Sequence, residues 1–175
     1  LRLIQEEKKA GNTGTVTQGK QKVKQTVVHD MDDLNFGIAT CCHPLPGDEI
    51  VAYTPDGSRW VVHRTNCPEA IELMARSASR IIHAKWSNKH MNTYLGGIKI
   101  SGFDRKSMIS DIIRVISDEM HFNVRSFHID TSGELFEAYL SFFIHDTFDI
   151  NHVIEQIKQI DGVSAASRMM KFVKT

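Results

Sequence analysis

Residues 48–65 read DEIVAYTPDGSRWVVHRT, in which two runs rich in β-branched and aromatic residues flank a turn. The turn at 55–58 (PDGS) combines a proline with a fixed φ, an aspartate that can bond its own backbone, and a glycine, which is typical of a loop between strands. We therefore predict strands over 48–54 and 59–65 that form a hairpin.

A short helix and a third strand are predicted after this hairpin. Asn66 and Glu69 have the spacing of a capping box, and Pro68 falls in the first helical turn, where a missing N–H costs nothing. Residues 80–86 then return to a strand pattern. The result is a β-β-α-β unit of about 50 residues, a size at which a core alone is marginal and a metal or a disulfide adds stability.

The second half of the chain shows the order β-α-β-β-α-β. Strands are predicted over 94–103, 123–130, 135–145 and 163–170, and helices over 106–120 and 149–160. Two β-α crossovers joined by a hairpin predict a ferredoxin-like antiparallel sheet with both helices on one face. The fold class is therefore α+β, a small zinc-finger-like unit followed by a ferredoxin-like unit. We expect the open sheet face to pair with another copy of the chain or another domain.

Composition excludes several classes of protein. The 175 residues carry 21 Lys+Arg and 21 Asp+Glu, so net charge alone gives no reason to expect a nucleic-acid or membrane partner. No apolar run reaches the ~20 residues that span a bilayer, and residues 1–9 lack the apolar core of a secretory signal. Three cysteines, two of them adjacent, suit a disulfide framework poorly and favour a reducing cytoplasm.

The first 28 residues differ from the rest of the chain. They are rich in Gly, Gln and Lys and show almost no apolar periodicity after Ile4. Such a segment buries too little surface to offset the entropy of ordering, so we predict a flexible linker or the end of an upstream helix over 1–28. The first residue is Leu, and we expect the chain to be a piece of a longer protein.

The candidate metal site consists of Cys41, Cys42, His63 and Cys67. Thiolates and imidazoles suit a tetrahedral Zn²⁺, and the hairpin could bring the last two residues beside the cysteine pair. Four protein ligands would make the site structural. Three alternatives remain open: His43 replaces one ligand, the cysteines are small hydrophobic core residues, or Cys67 at a helix N-terminus is a redox or nucleophilic thiol.

A second candidate site lies in the turn at 102–107, between a strand and a helix. Its glycine would allow a sharp bend, Asp104 could cap the helix, and the first free N–H groups could bind the carboxylate of an amino acid. The alternative is that the turn only caps the helix. The candidate ligand-binding residues are Gly102, Phe103, Asp104, Arg105 and Ser107. No glycine-rich phosphate loop is present in the sequence, which gives nucleotide chemistry no support.

Three stretches at 41–50, 63–68 and 98–106 read CCHPLPGDEI, HRTNCP and IKISGFDRK. They closely resemble the C-terminal regulatory half of the long RelA/SpoT family, whose members make and degrade the guanosine alarmones (p)ppGpp in the bacterial stringent response. The resemblance implies a zinc-finger (RIS) domain over 29–88 and an ACT domain over 94–175. It also places the four residues of the candidate metal site at the positions of the family's proposed zinc ligands.

The resemblance implies regulation without catalysis in this chain. It predicts contact with ribosomal RNA and A-site tRNA, control of upstream synthetase and hydrolase domains, and a homodimer formed through the ACT domain, with a branched-chain amino-acid sensor as the alternative. Two departures from the family pattern are Asn66, where the family often has Asp, and Ser107, where it usually has Gly. Both predicted domains are net acidic, so RNA contact would depend on local basic residues. The candidates are Arg59, Arg64, Arg76 and Arg80.

Overall fold

The computed structural model describes residues 28–31, 35–87 and 92–172. The predicted linker over 1–28 lies outside the described residues except for Val28, whose backbone belongs to a strand. Within the described part of the chain, the strands form a five-stranded sheet in the N-terminal half and a four-stranded sheet in the C-terminal half. The α+β fold class is therefore confirmed.

The N-terminal sheet is built around the predicted hairpin. Its elements are β1 (Val28–Asp30), β2 (Phe36–Ile38), β3 (Ile50–Tyr53), β4 (Trp60–Arg64), α1 (Pro68–Arg76) and β5 (Ile81–Lys85). The strand order is β1-β5-β3-β4-β2, and β3 pairs antiparallel with both β4 and β5. The sequence did not predict β1 and β2, which pair parallel with β5 and β4, because three residues are too few for an alternating pattern.

The start of α1 differs from the prediction. The N-cap residue is Cys67, which makes no side-chain capping bond, so the capping box predicted for Asn66 and Glu69 is wrong. Pro68 occupies the first helical position as expected, and the Cys67 N–H donates to the Arg64 carbonyl oxygen. The N-cap position is therefore taken by a cysteine, one residue after the asparagine that was predicted to cap the helix.

The C-terminal half has the predicted β-α-β-β-α-β order. Its elements are β6 (Tyr94–Phe103), α2 (Met108–Ile113), β7 (Val124–Ser132), β8 (Leu135–Ile144), α3 (Thr147–Ile157) and β9 (Val163–Arg168). The sheet order β7-β8-β6-β9 is antiparallel throughout, as in the ferredoxin-like arrangement. The helix predicted over 106–120 starts later, at Met108, and changes to a π-helix over Arg114–Glu119.

One face of this sheet packs on the helices, and the other is partly polar. Core residues from β6 and β8, such as Ile98 and Leu140, are fully buried against apolar residues of α2 and α3. On the opposite face, Lys99 forms a 2.7 Å ion pair with Glu137, while Phe103 and Leu135 pair across the strands and remain more than half exposed. The open face therefore combines a polar centre with an exposed apolar pair at one end.

None of the helices in the described residues is long and apolar enough to cross a bilayer.

Candidate metal centre

The described residues contain one cluster of four possible metal ligands, Cys41, Cys42, His63 and Cys67. The first two lie in a turn after β2, the histidine lies in β4, and Cys67 is the N-cap of α1. Their ligand atoms all lie within 4.8 Å of one another. The hairpin therefore brings the two halves of the sequence motif together, as the spacing predicted.

The distances between these atoms fit a tetrahedral ion. The Cys41 Sγ lies 3.5 Å from the Cys67 Sγ and 3.3 Å from the His63 Nδ1, and the Cys42 Sγ lies 3.9 Å from that same nitrogen. Zinc with bonds of about 2.3 Å to sulfur and 2.0 Å to nitrogen requires ligand separations of roughly 3.5–3.8 Å. The spacing of the four donors is therefore compatible with a four-coordinate zinc ion.

A tight turn allows two adjacent cysteines to face the same point. The residue that follows them, His43, has φ of +40°, a left-handed backbone that non-glycine residues seldom adopt, and its N–H donates to the Ala39 carbonyl oxygen. The imidazole of His43 packs on Phe172 with ring centroids 3.9 Å apart and does not belong to the four-residue cluster. The geometry therefore favours His63 over His43 as the nitrogen ligand.

The cluster is mostly withdrawn from water. Cys42, Cys67 and His63 are buried, and Cys41 is half-buried beside a cavity of about 500 Å³ that Glu69 and Arg125 also line. The backbone N–H of Arg64 donates to the Cys42 Sγ over 3.4 Å. Cys41 is therefore the least covered of the four residues.

Burial also determines the protonation of the donors. It raises the pKa of the Cys41 thiol, with a contribution from the hydrogen bond to Cys67, and raises the pKa of Cys42 to about 11. It lowers the pKa of His63, which keeps that imidazole neutral with a lone pair available. A metal ion at this site would therefore displace thiol protons on binding. Raised thiol pKa values give Cys41 and Cys42 little thiolate at neutral pH in the absence of a metal.

The four candidate RNA-contact arginines lie in different environments. Arg76 is 78% exposed, 3.8 Å from Glu72, and Arg59 and Arg80 also lie at the surface. By contrast, the Arg64 side chain is 17% exposed and lies 3.5 Å from the Asp48 carboxylate. Arg64 also donates to the Met170 sulfur at 2.8 Å, in the C-terminal half. Three of the four arginines therefore remain exposed, and Arg64 is engaged between the two halves of the chain.

Two residues of the turn at 102–107, Gly102 and Arg105, have structural contacts within the C-terminal half. A Cβ at Gly102 would overlap the carbonyl oxygen of Gly162, so the strand can lie this close only without a side chain. The Arg105 side chain is engaged by the Asp161 carbonyl oxygen at 2.8 Å and the Asp111 carboxylate at 2.8 Å. The sequence predicted that Asp104 could cap α2. The structure places Ser107 at the N-cap position instead.

Ser107 adopts a backbone conformation that suits glycine. Its φ is +71°, in the left-handed region, which explains why the helix begins at Met108. We expect Ser107→Gly to raise the free energy of unfolding by about 0.5–1 kcal/mol, because relief of strain exceeds the added chain entropy. Urea unfolding measures this change. The control Ser110→Gly, within α2, should lower stability by about 0.5 kcal/mol, and equal losses in both variants would contradict the assignment.

Comparison with known proteins identifies the family. Residues 26–87 match the family model described as the RelA/SpoT RIS domain, and residues 90–168 match the model described as the ACT domain. The chain belongs to the RelA/SpoT family. The N-terminal unit is thus its RIS domain and the C-terminal unit its ACT domain, in the order that the sequence predicted.

The curated relatives are much longer than the matched region. A GTP pyrophosphokinase of Streptomyces antibioticus is 32% identical over 138 residues, which is 78% of this chain and 16% of that protein. The bifunctional (p)ppGpp synthase/hydrolase RelA of Mycobacterium tuberculosis is 32% identical over 127 residues, 72% of this chain and 17% of that protein. The crystal structure of the ACT domain from the GTP pyrophosphokinase of Chlorobium tepidum covers 45% of the chain, at 26% identity and a TM-score of 0.41.

Sequence reasoning missed one group of residues near the metal ligands. Leu45, Asp48 and Arg168 connect the RIS domain to the ACT domain, and the sequence predicted no contact between the domains for any of them. The available signal was an apolar residue between two prolines, separated by two residues from a cysteine pair, which is an unusual composition for an exposed loop.

Proposed function

We propose that this chain is a non-catalytic regulatory module of a (p)ppGpp synthetase/hydrolase of the stringent response. In this module, a structural zinc ion stabilises the fold of the RIS domain. The four-donor cluster carries this proposal, because its tetrahedral spacing and its burial fit a closed structural site. The family membership supports the same reading, since relatives with the matched region are named as GTP pyrophosphokinases.

The proposed partners are ribosomal RNA with A-site tRNA and the synthetase and hydrolase domains of the parent protein. Arg59, Arg76 and Arg80 would provide phosphate contacts from the RIS domain. The exposed Phe103 and Leu135 would support a homodimer through the ACT domain. Because all three cysteines are free thiols, we place the protein in a reducing cytoplasm. The amino-acid sensor is not favoured, since Arg105 is already engaged within the ACT domain.

Cosedimentation with ribosomes at several salt concentrations tests the RNA contact. The variant Arg76→Ala/Arg80→Ala should bind more weakly than the parent chain and reduce the slope of log affinity against log salt by about two, because each phosphate contact contributes about one. A matched control, Lys106→Ala/Lys158→Ala, removes the same charge from the ACT domain. Salt-independent binding, or an equal loss in both variants, would contradict the proposed surface.

A further inference from the structure

The segment at 43–48 physically connects the metal ligands to the ACT domain. It begins at the residue after Cys42 and ends two residues before β3. Its Leu45 is fully buried in the same hydrophobic cluster as Ile98 and Ile150, which are core residues of the ACT domain. A side chain of the RIS domain therefore completes the core of its neighbour.

Backbone contacts fix the same segment to the start of α3. The Thr147 N–H, which belongs to the first helical residue and has no partner within the helix, donates to the Pro46 carbonyl oxygen at 2.8 Å. A Cβ at Gly47 would overlap the Thr147 side chain, so the close approach requires glycine. The helix thus receives one of its missing hydrogen-bond acceptors from the other domain.

A largely buried ion pair holds the end of the segment on β9. The Arg168 guanidinium donates to both carboxylate oxygens of Asp48, each at 2.8 Å, and donates to the His43 carbonyl oxygen at 2.9 Å. The side chains of Arg168 and Asp48 are only 15% and 9% exposed. Such a bidentate ion pair fixes the relative orientation of the two side chains as well as their distance.

We propose that the segment 43–48 is a metal-dependent clasp: an ion held by Cys41, Cys42, His63 and Cys67 fixes the turn that presents Leu45 and Asp48 to the ACT domain. The inference rests on the metal site proposed above. Without the ion, the strained turn at His43 loses its anchor, and the clasp contacts alone must offset the entropy of ordering the segment. The clasp transmits the state of the metal site to the relative placement of the two domains.

Residue-resolved amide hydrogen exchange on the whole chain tests the clasp. Chelation of the metal should accelerate exchange at Thr147 by about fivefold or more, a typical coupling between sites. The amides of Phe148 and Asp149 are internal controls, because both donate to the Asp146 side chain within the ACT domain. Unchanged protection at Thr147 in the metal-free chain, or equal acceleration at all three amides, would overturn the clasp.

The reverse experiment uses the reciprocity of coupling between sites. Arg168→Met removes the ion pair without touching a metal ligand, and it should lower the affinity for Zn²⁺, measured by competition with a chromophoric chelator. Arg114→Met, which removes surface contacts of the ACT domain, should leave that affinity unchanged. A chain that binds no metal would refute both the zinc site and the clasp, whereas full metal binding with neither readout altered would refute the clasp alone.

Discussion

Treatment of the chain with a zinc chelator is expected to unfold the RIS domain while the sheet of the ACT domain stays folded. The RIS core is divided into two small clusters, one of which contains Cys42 and Cys67 themselves. Structural zinc contributes an apparent 10–16 kcal/mol in zinc-finger peptides, about as much as the whole stability of an ordinary domain. Loss of dispersed amide resonances from residues 38–86, with those of β6 and β8 retained, would be the signature.

A pair of histidines offers a matched control for this prediction. His63 and His83 both lie directly opposite Val51, on the two strands that flank β3, but His63 is buried in the cluster and His83 is exposed. His63→Gln should reproduce the effect of the chelator, and His83→Gln should not. A RIS domain that keeps its resonances without metal, or equal damage from both variants, would refute a structural role for the ion.

Metal binding should also strengthen as pH rises. Burial raises the pKa values of the Cys41 and Cys42 thiols, so both carry protons in the metal-free chain at neutral pH. Each thiol that becomes a ligand must release its proton, and a higher pH makes that release easier. Calorimetry in buffers of different ionisation enthalpy should therefore detect proton release on addition of Zn²⁺, and an affinity independent of pH would contradict thiolate ligation.

The second large effect is expected for Gly102→Ala. Its new methyl group would overlap the carbonyl oxygen of Gly162, which is backbone and cannot turn aside as a flexible side chain could. The paired strands β6 and β9 must then move apart at Ser101 and Gly102, where their register already shifts. We expect a loss of about 3 kcal/mol or more in the free energy of unfolding, measured by urea denaturation.

The neighbouring variant Ser101→Ala is the matched control for Gly102→Ala. Ser101 lies beside Gly102 on the same strand and is only half-buried, so its truncation should change stability by less than about 0.5 kcal/mol. A Gly102→Ala chain as stable as the parent would contradict the close approach to Gly162.

Local patterns in the sequence were sufficient to predict the elements in which the apolar pattern extends over many residues. The strands β6 and β8, each ten residues long, and the hairpin of β3 and β4 could be read from alternation and turn residues. The three-residue strands β1 and β2 could not, because their parallel pairing depends on strands far away in the chain. The start of α2 was misplaced since the left-handed backbone of Ser107 is set by the turn and not by the residue type.

The metal ligands and the clasp differ in how visible they are in the sequence. Three cysteines and one histidine are residue types with a specific chemistry, so their spacing around a hairpin indicated a shared site. The ion pair of Asp48 with Arg168 joins two common residues 120 positions apart, and no local pattern marks such a pair. Contacts between domains therefore had to be read from the structure.

X-ray absorption and metal analysis of the freshly purified, reduced chain test the central claim most directly. The account predicts one equivalent of zinc per chain, bound by three sulfur atoms and one nitrogen, with the sulfur atoms at about 2.3 Å. A chain that carries no stoichiometric metal, or an ion bound mainly by oxygen, would contradict it.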